Sequence, residues 1–518
     1  MHIRVFMATN LESRSGVDTF ASADCQRGRR RLGARVARAW SRGPGYNPAV
    51  AGAPEPSATT SERDGLLVWV VVASQFAPPF MFSGVAVALP KLGVELGAGA
   101  SALGLIESLF LAGSVALLLP VGRLADATDK RRLFKLGLLV FGLLSVALGS
   151  IASVPAVLLL RFLQGACSAL LGATGPALVA DLVPPERRGK AYGASIGVIY
   201  AGLTLGPIVA GLIVDAWSWR GVFYVGAALL LGMYALVELR LPSKWRRPTP
   251  GAVHLPSAGL ILASVLALVF GTAKVTQGWI GLALLGLGLV LAVAFVLVQR
   301  RLARPLLDVR ALMAHRVMRA ALFTQMLLYL SAFCSTFMLS VYMQVSLGHP
   351  AKTSGLMLAI SAVLMAGLAP VAGALADRLR PQRIAGLGIA MVLLASLLAT
   401  QLGPGSSLLV VGSVLATQGL GFALFSSPNM TVIMNSAAES EVSLASALGA
   451  KSRSLGMIGG MLITALLLAL RIGDDPVEAH PLEFVGVVVS GYGILAVSNG
   501  LALVVAVIGG WRARRAGG

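Results

Sequence analysis

The sequence predicts an all-α polytopic membrane protein: two six-helix bundles plus an inserted two-helix linker, fourteen transmembrane helices in all. Three observations predict it. The 518 residues are 56% hydrophobic and only 12% charged, against roughly a quarter charged in an ordinary globular chain. The apolar residues gather into runs near the ~20 residues that cross a bilayer. Finally, the string GRLADATDKRRLF from Gly122 is answered by GALADRLRPQR from Gly373, with Asp126 and Asp377 spaced 251 residues apart.

In order, the spans read near 66–90, 101–121, 133–152, 154–180, 191–214, 220–239 and 254–273. They continue at 279–299, 317–340, 353–375, 383–402, 406–428, 443–470 and 485–510. Pro78 and Pro79 predict a kink or break in the first, since proline removes a backbone donor. The 60 glycines suit helices that must approach closely in lipid. The domains follow: a basic, disordered tail over 1–64, a first bundle over 65–241, the insert over 242–310, a second bundle over 311–511 and a short tail over 512–518.

The net charge of +20 sits in short runs between apolar segments. That pattern is a topology signal and not a nucleic-acid face. Every second connection is rich in basic residues. These are Arg123, Lys130, Arg131, Arg132 and Lys135, then Arg187, Arg188 and Lys190, then Arg240, Lys244, Arg246 and Arg247. They continue with Arg300, Arg301, Arg304, Arg310, Arg316 and Arg319, then Arg378, Arg380 and Arg383, and end with Arg512, Arg514 and Arg515. The alternate connections hold only Lys91, Arg220, Lys274, Lys352 and Arg471. Both termini are therefore expected to be cytoplasmic, in a multi-pass plasma-membrane protein. In the tail, Arg27, Arg31, Arg35, Arg38 and Arg42 fall on one face of a notional helix, with Leu32, Val36 and Trp40 toward the other. Such a helix suits an anionic leaflet, but the composition favours disorder. No apolar stretch precedes residue 66, so no cleaved signal peptide is expected.

Cys25, Cys167 and Cys334 are far apart and the five histidines form no cluster. Neither metal nor cofactor is expected. No nucleophile–base pair or phosphate-binding loop is visible, which argues against an enzyme.

The connection after the second span follows the pattern G-x-L-A-D-R-x-G-R-K at Gly122, Leu124, Ala125, Asp126, Lys130 and Arg131, and Gly373, Asp377 and Arg378 carry its copy. Arg161, Gln164 and Gly165 in the fourth span match R-x-x-Q-G. In the fifth, Gly202, Gly206, Pro207 and Gly211 come close to G-x-x-x-G-P-x-x-G-G. The run PLLDVRALMAHRV, from Pro305 to Val317, resembles a junction after the inserted pair. Over about residues 65–511 the chain thus resembles the major facilitator superfamily, in its fourteen-helix drug:proton antiporter branch.

The resemblance implies secondary transport by alternating access, with binding between the halves. The implied partners are a small-molecule substrate, protons and the lipid bilayer, and a monomer is expected. It implies a latch at Asp126, held by Lys130 and Arg131 and facing a helix N-terminus of the other bundle. It implies that Gly202, Gly206, Pro207 and Gly211 seal the path between halves, although ordinary helix packing explains them as well. The chain also departs from the pattern. Ala127 and Asp129 replace the loop's arginine and glycine, and Asp129 is expected to keep a left-handed turn. Met81 and Ser83 stand where the first span of such proteins carries an aspartate and a threonine, and Ala210 replaces a glycine.

One carboxylate stands apart, in the stretch LGLIESLFLAG. Glu107 lies six residues past Ser101, roughly 9 Å deep at ~1.5 Å per residue. It is expected to face the central cavity and carry the proton, with Arg161 as a competing ion-pair partner. A structural hydrogen bond and direct attraction of a cationic substrate are the alternatives. Arg161 costs ~2.5 kcal/mol or more in lipid, so it too should face inward and be partnered. Lys451 and Arg453, near the end of the thirteenth span, are read as snorkelling to the interface. The cavity, framed by spans 1, 2, 4, 5, 9, 10, 12 and 13, is expected to draw on Gln75, Phe80, Tyr200, Gln325, Tyr329, Phe333 and Gln418. The function read from all this is proton-coupled export of hydrophobic or amphiphilic compounds. An importer or metabolite exporter with other coupling remains as the alternative, because the first-span aspartate is missing. A non-transporting receptor would have no need of paired gate motifs and an intramembrane carboxylate.

Overall fold

Proline, glycine and small polar residues punctuate the apolar chain into helices, and no strand occurs among the described residues. The computed structural model describes residues 62–183, 185–240, 254–302, 305–307, 315–436 and 442–516. The basic tail up to residue 61 lies outside them, as do Lys244, Arg246, Arg247, Arg304 and Arg310.

The first span is broken, as its prolines predict. Helix α1 (Glu62–Ser74) ends just before Gln75, and α2 (Ala77–Leu96) restarts with Pro78 and Pro79 in its first turn. Their missing N–H groups cost nothing there. The next five are α3 (Ala100–Ala127), α4 (Lys130–Ser150), α5 (Val154–Leu182), α6 (Pro185–Ala216) and α7 (Trp219–Arg240). The inserted pair is α8 (Leu255–Ala273) and α9 (Trp279–Arg301). The second set is α10 (Arg316–Val341), α11 (Ala351–Arg378), α12 (Pro381–Ala399), α13 (Leu408–Asn435), α14 (Val442–Arg471) and α15 (Pro481–Ala516). Helix α10 overruns its expected end through a wider turn, Tyr342–Ser346. With α1 and α2 counted together, 14 helical segments among the described residues are long and apolar enough to cross a membrane. Trp69, Trp217 and Trp279 are exposed at span ends, where the bilayer interface favours indole rings.

Two expectations need correction. The gate motif is not a loop but the end of a helix. Helix α3 runs to Ala127 and α11 to Arg378, because nothing in LADA or LADR breaks a helix, although hydropathy has already fallen. Asp129 takes no left-handed turn. It is extended at φ −77°, ψ 102°, and caps α4 by accepting from the Arg131 backbone N–H at 3.0 Å. A side-chain acceptor at that place satisfies one of the helix's orphan donors.

The two sets of six pack alike. Helix α3 lies on α5, α2 on α6, and α4 on both α5 and α7. In the second set α11 lies on α13, α10 on α14, and α12 on both α13 and α15. The match extends to single residues. Gly165 of α5 sits against the Phe110 carbonyl, and Gly419 of α13 against the Ser361 carbonyl. Ser361 follows Phe110 by the same 251 residues that separate the gate aspartates. The halves meet where α6 packs on α11 and α3 on α14, and α8 lies against α3 and α14 with α9 outside it.

Fourteen crossings put Glu62 and Ala516 at one face of the bundle, here the terminal face. At the far face the halves are bonded to each other. Asp215 takes Lys91 at 3.1 Å and the Lys352 backbone N–H at 2.8 Å, which caps the start of α11 from across the seam. At the start of α3, the Ala100 and Ser101 N–H groups donate to the Asp475 and Gly473 carbonyls at 2.8 and 3.2 Å. Deeper, Ser340 donates to the Ala86 carbonyl at 3.0 Å and Gln344 to the Val87 carbonyl at 3.1 Å. At the terminal face the described cross-links run instead through the connection after α9. Arg123 reaches the Pro305 carbonyl at 2.6 Å and Lys451 the Leu306 carbonyl at 3.2 Å.

Side chains at the two glycine–carbonyl contacts have nowhere to go. Gly165→Leu and Gly419→Leu should each lower the melting temperature of the purified protein in detergent, at the cost of an overpacked core, about 1–3 kcal/mol or more. Gly232→Leu, where nothing lies within 4 Å of a new Cβ, should melt as the parent does. Melting curves of the three variants test the packing; unchanged curves for the first two would refute it.

Candidate functional site

Close approach of α3 and α5 creates a pocket with no room for water-exposed charge, yet two charges occupy it. Glu107 and Arg161 are 1% and 0% exposed, and Arg161 Nη2 donates to Glu107 Oε2 at 3.1 Å. The guanidinium is otherwise well served. Its Nη1 donates to Gln164 Oε1 at 2.9 Å, its Nε to the Ile106 carbonyl at 3.4 Å, and the Phe110 ring lies 4.4 Å away. Gln164 passes the chain on to Ser145 Oγ at 2.8 Å. The carboxylate is served on one side only, for Glu107 Oε1 meets no donor among the described residues. The pair is buried between α3 and α5, closed to solvent in this conformation. Sequence depth brought Glu107 and Arg161 together but could not tell which way they turn.

The second bundle provides a comparison within the same molecule. By the spacings that relate Phe110 to Ser361 and Gly165 to Gly419, the counterparts of Glu107 and Arg161 are Leu358 and Leu415. Both leucines are buried. The architecture therefore fills this place with carbon as readily as with an ion pair. Replacing a buried ion pair with well-packed carbon is often neutral or stabilising, so the charges are not there to hold the helices together.

At mid-depth aromatic groups meet across the seam. Tyr200 of α6 and Tyr329 of α10 share a hydrogen bond at 3.0 Å. Phe82 of α2 faces Phe333 of α10 at 4.9 Å between centroids and Phe110 of α3 at 5.8 Å. Phe422 of α13 stands edge-on to Tyr329 at 5.8 Å, and the Arg453 guanidinium lies 6.0 Å from the Tyr329 ring. Tyr200, Tyr329 and Phe333 thus come together as cavity candidates. The other four are engaged within their own halves. Gln75 lies against Gly175, and Phe80 stacks on Phe76 at 5.4 Å. Gln325 donates to the Gly449 carbonyl at 2.6 Å, and Gln418 accepts from Ser335 at 2.7 Å. Arg453, expected to snorkel, is half-buried with its guanidinium beside that ring.

The motif residues divide in the same way. Lys130 bonds Asp181 at 3.3 Å, Arg131 is buried at the start of α4, and Arg378 is exposed at the end of α11. Gly122 has open space around it, while Gly373 lies near Ser427 of α13. The side chains of Asp126 and Asp377 lie outside the described residues. Gly202 and Gly206 rest on the Phe76 and Phe80 carbonyls of the first span. Gly456 and Gly460, in the run GMIGG, do the same on the Met326 and Leu330 carbonyls. Those two glycines of the fifth span are therefore shared packing, repeated in the other half. What the second half lacks is Pro207 and Gly211, which meet α11 at Gly355 and Ala351; Met461 and Ala465 stand in their places.

Comparison with known proteins agrees with this architecture. Residues 71–461, and again 321–517, match the family profile of the Major Facilitator Superfamily. The puromycin resistance protein of Streptomyces alboniger is 31% identical over 481 residues, which cover 89% of this chain and 94% of that one. The multidrug resistance protein Stp of Mycobacterium tuberculosis is 27% identical over 418 residues, 76% of each chain. The tetracenomycin C resistance and export protein of Streptomyces glaucescens is 28% identical over 405 residues, 75% of this chain and 73% of that one. In fold, the chain is similar to an inward-facing bacterial homologue of the human lysosomal transporter Spinster, with a TM-score of 0.62 at 14% identity over 88% of this chain and 98% of that one. A POT family transporter bound to a thioalcohol-conjugated peptide gives 0.63 at 17% identity, over 84% and 95%. With its repeated six-helix halves, its seam of facing aromatics and these relatives, the chain belongs to the Major Facilitator Superfamily and is a membrane transporter, not an enzyme.

Proposed function

We propose that the protein is a proton-driven exporter of hydrophobic or amphiphilic small molecules. In this reading it sits in the plasma membrane as a monomer with both termini cytoplasmic. It works by alternating access between halves at 65–241 and 311–511, with 242–310 inserted between them. Relatives named for resistance to puromycin, for multidrug resistance and for export of tetracenomycin C support an efflux role.

The observation that carries the coupling is the buried Glu107–Arg161 pair, standing where the second half has Leu358 and Leu415. A carboxyl with one oxygen on a guanidinium and the other unserved has two tenable forms, an ion pair or a neutral acid. Exchange between them moves one proton. The change reaches the seam through stacked rings, from Phe110 on the guanidinium to Phe82 and on to Phe333. Substrate sits at that seam, and an imposed pH gradient drives the cycle. The gate ends of α3 and α11, with Gly122, Asp126, Gly373 and Asp377, close the terminal face when the far face opens. Helix-end charges of this kind act over the last turn.

A substrate panel in proteoliposomes, with and without an imposed pH gradient, tests the reading. For any compound the parent exports, Glu107→Gln should insert normally, lose gradient-driven accumulation by about a hundredfold, and keep downhill exchange, since removing a group that moves a proton typically costs ~10²–10⁴-fold. Accumulation by the glutamine variant at the parent's rate would rule Glu107 out as the coupling group.

The gates give a second test. Asp126→Asn should shift the resting balance toward opening at the terminal face, and Asp215→Ala, which uncaps α11, toward opening at the far face. Each change is on the order of 1 kcal/mol, or about fivefold in population. Cysteine accessibility from the two sides of the membrane reads both. Shifts in the same direction, or none, would reduce both aspartates to topology and solubility signals.

A further inference from the structure

We infer that the seam selects anionic aromatic compounds, with Arg453 as the group that sets the sign of the charge it accepts. The inference rests on the reading of the seam as the transport path and adds the substrate class. Among the described residues, Glu95, Asp215, Glu238 and Glu483 lie within two residues of a span end, and Glu107 is the one carboxylate deeper than that. Glu107 is 1% exposed and committed to Arg161. Nothing negative is left at mid-depth to receive a cation.

A positive group does stand beside the facing aromatics. Arg453 lies five residues inside the thirteenth span, counted from Leu448. It is half-buried, and its interaction partner is the face of the Tyr329 ring. A guanidinium carries five N–H donors in a planar fork that fits a carboxylate or phenolate oxygen on two of them. A ring face uses none of the fork. In the first half, at the spacing that relates Gly202 to Gly456, the same place is filled by Ile199. The helix packing there does not ask for a cation.

The neighbouring groups favour the same ligand. In the Tyr200–Tyr329 pair one hydroxyl donates to the other, so the accepting hydroxyl keeps its own hydrogen for an outside acceptor. The site therefore offers donors. Phe422 and Phe333 border it with apolar faces suited to a flat ring system. Donors beside aromatic walls, with no free carboxylate among the described residues there, match a planar aromatic molecule bearing a carboxylate or phenolate, and they repel its cationic analogue.

Two dyes with the same three-ring core test the inference: anionic fluorescein and cationic rhodamine 123. Binding to the purified full-length protein is read by fluorescence anisotropy in detergent near neutral pH. The parent should bind fluorescein about tenfold more tightly than rhodamine 123. Arg453→Gln should abolish that preference, Arg453→Lys should keep most of it, and Tyr329→Phe should weaken fluorescein and spare rhodamine 123. Equal or tighter binding of rhodamine 123 by the parent, binding of neither dye, or an undiminished preference in Arg453→Gln would overturn the inference. Because no gradient is present, a failure of proton-driven export would defeat the proposed function and leave this result standing. Charge-blind binding with intact export would defeat this inference alone.

Discussion

A helix surrounded by lipid gains little by turning one leucine from lipid to another leucine. What holds such helices together is close approach of their backbones, which small residues permit. This protein depends on that constraint. Gly165 on the Phe110 carbonyl and Gly419 on the Ser361 carbonyl bring α5 to α3 and α13 to α11. Gly202 and Gly206, with Gly456 and Gly460, do the same for α6 on α2 and α14 on α10. The main intra-half contacts of both bundles are thus made with backbone against backbone, at places related by nearly constant spacing. Such contacts specify register. A glycine slipped by one residue meets a side chain instead of a carbonyl.

Close backbone contacts also cross the seam, where Gly355 rests on the Pro207 carbonyl and Gly211 on the Ala351 carbonyl. Toward the far face the bonds that cross it are helix caps and side chains on carbonyls: Asp215 on the start of α11, Gln344 and Ser340 on the middle of α2. Each can be exchanged for water at modest cost. At the terminal face both halves instead hold the connection after α9, which Gln299 fixes by accepting from the Leu306 N–H at 2.6 Å and the Leu307 N–H at 3.2 Å. The inserted pair is thereby tied to both sides of the seam. A rocking motion of one half against the other has to carry this strap with it.

Much of the fold was legible in the sequence because lipid imposes so few solutions. A run of ~20 apolar residues must be a helix, and Pro78–Pro79 marked the break in the first. Helix ends were less legible. Hydropathy falls at Gly122, yet nothing ends the helix until Thr128, because water solvates a helix end as readily as a loop. The site was legible in part. Glu107 and Arg161 could be matched because neither is tolerable alone at depth. Their direction was not, since hydropathy reports depth and says nothing of azimuth. Gln75, Gln325 and Gln418 stand out in sequence as polar groups on inner spans, yet each is taken up inside its own half. The depth of Arg453 permits snorkelling, and the packing of α14 on α10, which hydropathy does not report, sets it beside Tyr329.

The repeat itself separates architecture from chemistry. Where the two halves agree, as at the glycine–carbonyl contacts or at Gln164 and Gln418, the residue serves a fold that both halves need. Where they part, one half has departed from what packing alone requires. Glu107 and Arg161 against Leu358 and Leu415 is one such place, and Arg453 against Ile199 is another. Gly175 against Asn429 is a third, with Asn429 donating to Gln325 at 3.3 Å where Gly175 merely makes room for Gln75. A buried charge is costly, and a half that folds with carbon at the same position shows that the cost is avoidable. Two bundles built alike are thus charged differently, with a buried ion pair in one half and a guanidinium set against an aromatic ring in the other.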